Sequence, residues 1–303
     1  MSLLVVGSVA FDSVKTPFGV ADDVLGGSAT YFSTAASYFT DVNLVAVVGD
    51  DFPDKHVNFL KSRRIDVSGL QHAPGRTFRW KGEYGFDLNE AHTLETHLNV
   101  FEQFKPQIPE GYKTSDVVFL ANIDPVLQRE VLHQMESPKL VACDTMNFWI
   151  GGKRDELVKT LAEVDILLIN ESEARELAGE PNLVKAARVI KGMGPDTLII
   201  KRGEYGALMF GEDGAFSAPA YPIESVFDPT GAGDSFAGGF MGYLDNVKNF
   251  DERSLRQAIV FGSVMASFNV EDFSLNRMRS LDYKEIEARY REFRRLTVFD
   301  DIG

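Results

Sequence analysis

A chain of 303 residues, 44% hydrophobic and 25% charged, has the makeup of a folded globular protein, with room for one large α/β domain and a small appendage. Its 31 basic residues against 45 acidic ones leave a net charge of -14, which argues against nucleic-acid and anionic-membrane partners. No uninterrupted apolar run of about 18 residues occurs, and Ser2 to Gly7 lacks the basic start and long apolar stretch of a signal peptide, so the expected location is cytoplasmic. In chain order, the short apolar runs 3–6, 42–48, 117–120, 139–143, 166–169 and 197–201 read as strands. Helical spacing lies between them at 52–64, 125–135, 154–162, 172–178 and 183–193. This alternation predicts an α/β fold with a mainly parallel central sheet and helices on both faces. Residues 71–109 break the rhythm, because Thr77 to Tyr84 alternates apolar with polar as a half-exposed antiparallel strand does. Together with residues 11–24 they are expected to form a small β lid over the ligand-binding edge, an ordinary surface hairpin being the competing reading. The lone cysteine, Cys143, ends an apolar strand and reads as inert core. The arginines of 289–295 read as the solvated face of a last helix.

The sharpest chemical signal is Asp228-Pro229-Thr230-Gly231-Ala232-Gly233-Asp234, followed by an apolar stretch from Ser235 to Phe240. Glycines let backbone pass close to a ligand, and the apolar stretch suits a buried helix, so the segment presents free amides at a helix N-terminus. Such amides form an anion site for a phosphate or a developing negative charge without adding net charge. In that first turn Asp234 is expected to stay ionised and to accept a proton from an attacking hydroxyl. A helix N-cap is the equally weighted alternative for Asp234. Gly231, Gly233 and Ala237 also fit a loose dinucleotide fingerprint, but that belongs after a strand in a first βα unit, and this one lies late. No Walker-type glycine-lysine-serine or glycine-lysine-threonine loop is present.

With these residues the chain resembles, over nearly its whole length, the ribokinase-like PfkB family of carbohydrate kinases, whose C-terminal signature is an Asp-x-Thr-Gly-Ala-Gly-Asp run. Gly26-Gly27-Ser28-Ala29 looks like the family's substrate loop, and Asp12 stands where a substrate-binding aspartate follows the first strand; taken alone, such paired glycines are more often a plain turn. Asn170-Glu171-Ser172-Glu173 is similar to the Asn-x-x-Glu motif that helps position magnesium and phosphates, although Asn170 and Glu173 also spell a capping box. Lys201-Arg202-Gly203-Glu204-Tyr205-Gly206 resembles the segment lining the ATP pocket, and Asp144-Thr145-Met146-Asn147 resembles a segment beside substrate and phosphates. Two departures stand out. Tyr31 follows the paired glycines where the family usually has asparagine, and Asn269 to Ser274 lacks a glycine common there, which weakens the case for a monovalent-cation loop supported by Asp228 and Thr230.

The resemblance implies a ribokinase-like three-layer sandwich over residues 1–303 and an ATP-dependent phosphotransferase acting on a hydroxyl of a sugar or sugar-containing metabolite. Asp234 is the implied base, with Gly231, Ala232 and Gly233 as anion hole and Asp12, Gly26, Gly27, Ser28, Tyr31 and Asp144 around the acceptor. ATP is expected along Asn170, Glu173, Lys201, Gly203, Gly206 and Thr230, with magnesium near Glu173 through water and K+ as an optional ion at Asp228 and Thr230. A homodimer through the lid is the expected assembly. The rival readings are a nucleoside kinase, a catalytically silent sugar or nucleotide sensor, and, more weakly, a dinucleotide-dependent oxidoreductase.

Overall fold

The computed structural model describes residues 3–298. It opens with strands β1 (Leu3–Val6), β2 (Ala10–Thr16) and β3 (Gly19–Gly26), which lead into helix α1 (Ser28–Ala36). There follow β4 (Val42–Val48), α2 (Asp54–Ser62), β5 (Ile65–His72), β6 (Phe78–Tyr84), β7 (Ala91–His97), β8 (Val117–Leu120) and α3 (Pro125–Leu132). Next come β9 (Leu140–Asp144), α4 (Asn147–Gly152), α5 (Arg154–Leu161), β10 (Ile166–Asn170), α6 (Glu171–Ala178), α7 (Leu183–Lys191) and β11 (Thr197–Lys201). The chain closes through β12 (Ala207–Phe210), β13 (Ala215–Ala218), α8 (Ala232–Val247), α9 (Glu252–Asn269), α10 (Asn276–Ser280) and α11 (Tyr283–Thr297).

A nine-stranded sheet runs in the order β13-β12-β11-β10-β9-β8-β1-β4-β5. From β11 to β5 every neighbouring pair is parallel, while β12 and β13 join through antiparallel ladders. Successive residues of β1 serve opposite cores: Leu3 and Val5 pack with Phe32, Phe240 and Val264, whereas Leu4 and Val6 pack with Val131, Leu157 and Leu177. Both faces are therefore covered by helices, which explains why these strands read as unbroken apolar runs. The chain order reverses at β1, flanked by β4 and β8, and ligands of open α/β sheets bind beyond the strand ends at such a switch point. Cys143 is fully buried, and burial pushes its thiol far up, so it is core rather than nucleophile.

The expected strands at 3–6, 42–48, 117–120 and 197–201 appear with those bounds, and 139–143 shifts by one residue. Several elements carried no clear signal. Ile65–His72 holds Asp66, Ser68 and Gln71 and lacks an apolar run, yet it is the edge strand β5. Ser28–Ala36 is rich in Ser, Thr and Ala, and it is a buried helix because small residues let α1 approach α8, where a Cβ on Gly238 would lie 2.3 Å from the Phe32 carbonyl.

The second sheet is the lid, in the order β3-β2-β6-β7. Its β6 pairs in parallel with β2 and antiparallel with β7, so the anticipated antiparallel strand has one parallel neighbour. The lid strands occupy 10–26, slightly wider than the expected 11–24, and 78–97, tighter than 71–109: Gln71 and His72 end β5 of the large sheet, and Phe104 and Ile108 are buried in the second core. Arg79 on β6 bridges Asp23 and Asp51 and lies 4.9 Å over the Phe11 ring, pinning the lid to the body. Every residue of β7 is exposed. In α11 the expected solvated arginine face fails at Arg289, which turns inward to pair with Glu271 at 2.6 Å and lies 3.5 Å over the Phe268 ring. No described helix is long and apolar enough to cross a membrane.

Candidate active site

The acceptor side begins at the turn between β3 and α1. Gly27 is the residue before α1, with φ of 93°, and a Cβ there would lie 2.6 Å from the Ser8 carbonyl, so glycine is required twice over. A Cβ on Gly26 would lie 1.9 Å from Asp12 Oδ2, and its absence lets the carboxylate tuck in and accept the Gly27 N–H at 3.3 Å. Burial drives Asp12 up to about 7, and the negative charges of Asp228 and Asp234 push the same way. Ser28 is occupied otherwise: its hydroxyl and that of Ser8 clamp each other's backbone N–H at 2.9 and 3.2 Å, fixing α1 to the end of β1. Tyr31 is buried beside Asp12, its hydroxyl turned toward that carboxylate, and its ring lies against Gly231, where a Cβ would come within 2.3 Å.

Across from it stands the glycine turn. Gly231, with φ of 76°, is the cap of α8, and no side chain caps that helix. The N-cap alternative for Asp234 therefore falls away. It is the third residue of α8, and its carboxylate accepts no hydrogen bond from a described residue. The amides of Gly231, Gly233 and Asp234 have no described acceptor, whereas Ala232 N–H donates to the Pro229 carbonyl at 3.1 Å. The anion hole thus differs from expectation: Ala232 is turned into the loop, and Asp234 N–H joins the two glycines as an orphan of the first helical turn.

Neighbouring strand ends bring one cation to this turn. Lys201 ends β11 opposite Asn170 of β10, and its Nζ donates to Asp144 Oδ2 at 3.0 Å. A Cβ on Gly233 would lie 3.1 Å from that same nitrogen, so the ammonium sits directly beneath the turn. Asp144 falls on this side, with Lys201, rather than with Asp12. Asp234 is driven up to about 7 by burial first and the charge of Asp144 second, with Lys201 opposing; the expectation of a fully ionised carboxylate is revised accordingly. Glu173 is likewise raised above the usual carboxylate range by burial and Asp144. The capping box is real: Asn170 Oδ1 accepts Glu173 N–H and Glu173 Oε2 accepts Asn170 N–H, both at 2.8 Å.

The lid closes the site from above. Tyr84 on β6 meets Thr230 Oγ1 at 3.3 Å, and Thr16 on β2 donates to the Phe227 carbonyl at 2.8 Å. The β6–β7 loop reaches the turn between β11 and β12, where Glu204 N–H donates to Asn89 Oδ1 at 3.4 Å. Gly203 and Gly206 in that turn take φ of 53° and 86°, and a Cβ on Gly203 would overlap Asn89.

A family model described as pfkB family carbohydrate kinase matches residues 7–280, and so takes in both glycine turns, Lys201 and Asp234. The chain belongs to that family. Among pfkB relatives, a cytidine kinase of Thermococcus kodakarensis is 34% identical over 249 residues, covering 80% of this chain and 87% of its own. A nucleoside kinase of Methanothermobacter thermautotrophicus is 33% identical over 291 residues, 89% of each chain. The crystal structure of the Methanocaldococcus jannaschii nucleoside kinase, a member of the ribokinase family, superposes with a TM-score of 0.77 at 20% identity over 96% of this chain and 99% of its own. The three-layer α/β sandwich is thus the ribokinase fold. Membership of a carbohydrate-kinase family makes this a phosphotransferase fold, yet among the described residues no group of three His, Cys, Asp or Glu could hold a metal alone. Magnesium commonly reaches such sites with phosphate ligands and one or two carboxylates, and Glu173, with one carboxylate oxygen outside the capping box, fits that pattern. Tyr84 and Asn89 belong to the site although no motif marks them; they arrive on a hairpin whose reach spacing does not encode.

Proposed function

We propose that this chain is an ATP-dependent nucleoside kinase that phosphorylates a sugar hydroxyl of its acceptor. The observation that carries the chemistry is Asp234: a half-buried carboxylate with no hydrogen-bond donor among the described residues, poised near neutrality, between free backbone amides and the half-buried Lys201. The acceptor lies by Asp12, Gly26, Gly27 and Tyr31. ATP runs from the Gly203–Gly206 turn past Lys201 to the amides of Gly231 and Gly233. Asp234 removes the hydroxyl proton, the oxygen bonds to the γ-phosphorus, and the bond to the β-phosphate oxygen breaks to release ADP. The amides offset charge on the transferring group and need no reorientation to do so. Magnesium would neutralise the phosphates, held near Glu173 through water. A nucleoside, rather than a free sugar, is favoured by two relatives that match at about one-third identity over 80% and 89% of this chain, a cytidine kinase and a nucleoside kinase.

The same reading places the protein in the cytoplasm, where ATP is available, and gives it a homodimer across the lid. The bare outer edge of β7 and the exposed Phe18, Val20 and Leu94 support that assembly. The test is ADP release with magnesium against matched panels of nucleosides, free sugars and sugar phosphates. Turnover led by a nucleoside supports the proposal; turnover led by a free sugar refutes the nucleoside part and leaves the kinase. ATP and nucleoside binding without ADP release would mean a sensor.

A further inference from the structure

Asn269, the last residue of α9, is fully buried and opens the segment Asn269 to Ser274 that departs from the family pattern. Its Nδ2 donates to the Thr230 carbonyl at 2.8 Å, and its Oδ1 accepts the Ser235 hydroxyl at 3.0 Å. One side chain therefore grips the backbone before Gly231 and the residue after Asp234. A buried amide satisfied on both ends is a rigid brace, because leaving either end unmade carries the full desolvation penalty. The oxygens expected to support a monovalent cation are occupied in the same way. Asp228 is fully buried, and its carboxylate accepts Thr230 N–H at 2.9 Å and Ser274 N–H at 3.1 Å. Thr230 Oγ1 meets Tyr84, and the Ser274 hydroxyl donates to the Leu25 carbonyl at 2.6 Å, next to the Gly26-Gly27 turn. Ser274 adopts φ of 54° in the segment where a glycine was expected.

The Thr230 carbonyl and the Asp228 carboxylate, the oxygens that would face such an ion, are already held in place by N–H donors of the chain itself. We infer that Asn269 does within the chain what a bound monovalent cation would do, holding the Thr230 carbonyl and the glycine turn in place, so that turnover needs no such ion. Asn269 is thus a positioning residue for Asp234 and the Gly231 and Gly233 amides, acting through the backbone. The inference rests on the kinase reading for its kinetic arm and on the geometry alone for its thermal arm.

The kinetic arm compares the intact protein in equal concentrations of potassium chloride and tetramethylammonium chloride, with magnesium present, beside Asn269→Ala and Ser235→Ala. The expected rates in the two salts agree within about twofold. Asn269→Ala is expected to lose roughly 100-fold in kcat with acceptor KM little changed, as misplacement of a reacting group does, and Ser235→Ala to lose less. A tenfold or greater potassium activation, or an Asn269→Ala protein with wild-type kcat, overturns the inference. Should Asn269→Ala fail to fold, Ser235→Ala, which removes one of the two contacts, carries the kinetic test, and an unchanged kcat there overturns it. The thermal arm reads the melting temperature in the same two salts. An ion bound to the native state would raise it in potassium, and no potassium-specific rise is expected. If no acceptor turns over in either salt, the kinase reading fails, while a potassium-specific rise in melting temperature would still overturn the cation inference.

Discussion

Three carboxylates, Asp144, Glu173 and Asp234, share the half-buried ammonium of Lys201, and Asp234 is left without a hydrogen bond among the described residues. Burial and Asp144 raise its pKa while Lys201 opposes, and that balance suits the proton acceptor proposed for it. Because Asp234 and Asp12 are both pushed to about 7, kcat/KM should climb as pH rises to neutrality and level above it. A profile flat from about pH 5 to 8 would contradict that. The same shifts reach stability, with a definite sign. A carboxyl whose folded pKa is raised helps the fold while protonated in both states, below its ordinary value near 3.8, and that help is lost as pH rises through about 7. Asp234→Asn should therefore melt higher than the wild type at about pH 8 and gain little at about pH 4.5. Equal melting temperatures at both pH values would show that burial does not strain Asp234.

Among the elements, the glycine turn is the least tolerant. Gly231→Ala places a methyl group in the Tyr31 ring at a φ of 76°, and it should destabilise by more than about 1 kcal/mol while abolishing most turnover. Urea unfolding and kcat check both halves, and near-wild-type values for each would show that the turn is loose. On the lid, Tyr84→Phe removes the contact to Thr230, and it should raise acceptor KM several-fold with the fold intact. An unchanged KM would detach the lid from acceptor binding. The elements also show what was legible in the sequence. Strands buried on both faces, such as Val42–Val48 and Thr197–Lys201, announced themselves because burial favours apolar residues, many of them β-branched, at most positions. The Asp228 to Asp234 run was legible because glycine spacing reports backbone that must pass close to something. Asn269, Tyr84 and Asn89 were not, since each acts across a long stretch of chain and is brought in by tertiary packing alone. Ala232 shows the same limit from the other side: its letter fits an anion hole, but its N–H is committed to Pro229, and only geometry reveals that.

At the scale of the whole molecule, two sheets meet at one seam. The large sheet delivers Asn170, Lys201 and Asp144 from strand ends, and the lid brings Asp12 and Tyr84 down onto the Asp228–Asp234 turn. Arg79 fixes the hinge side through Asp23 and Asp51, so Arg79→Ala should loosen the lid, raising acceptor KM more than it lowers melting temperature. The reverse ranking would make Arg79 a stability residue only. Light scattering checks the lid dimer: a dimer that turns monomeric on Leu94→Glu is expected, and a wild-type monomer would contradict the assembly. The measurement closest to the central claim is acceptor-dependent ADP formation by Asp234→Asn beside the wild type at about pH 8. Loss of roughly 10² to 10⁴ in kcat with ATP binding retained is the predicted result. Unchanged turnover in that variant would contradict the account, because the account gives the proton to Asp234.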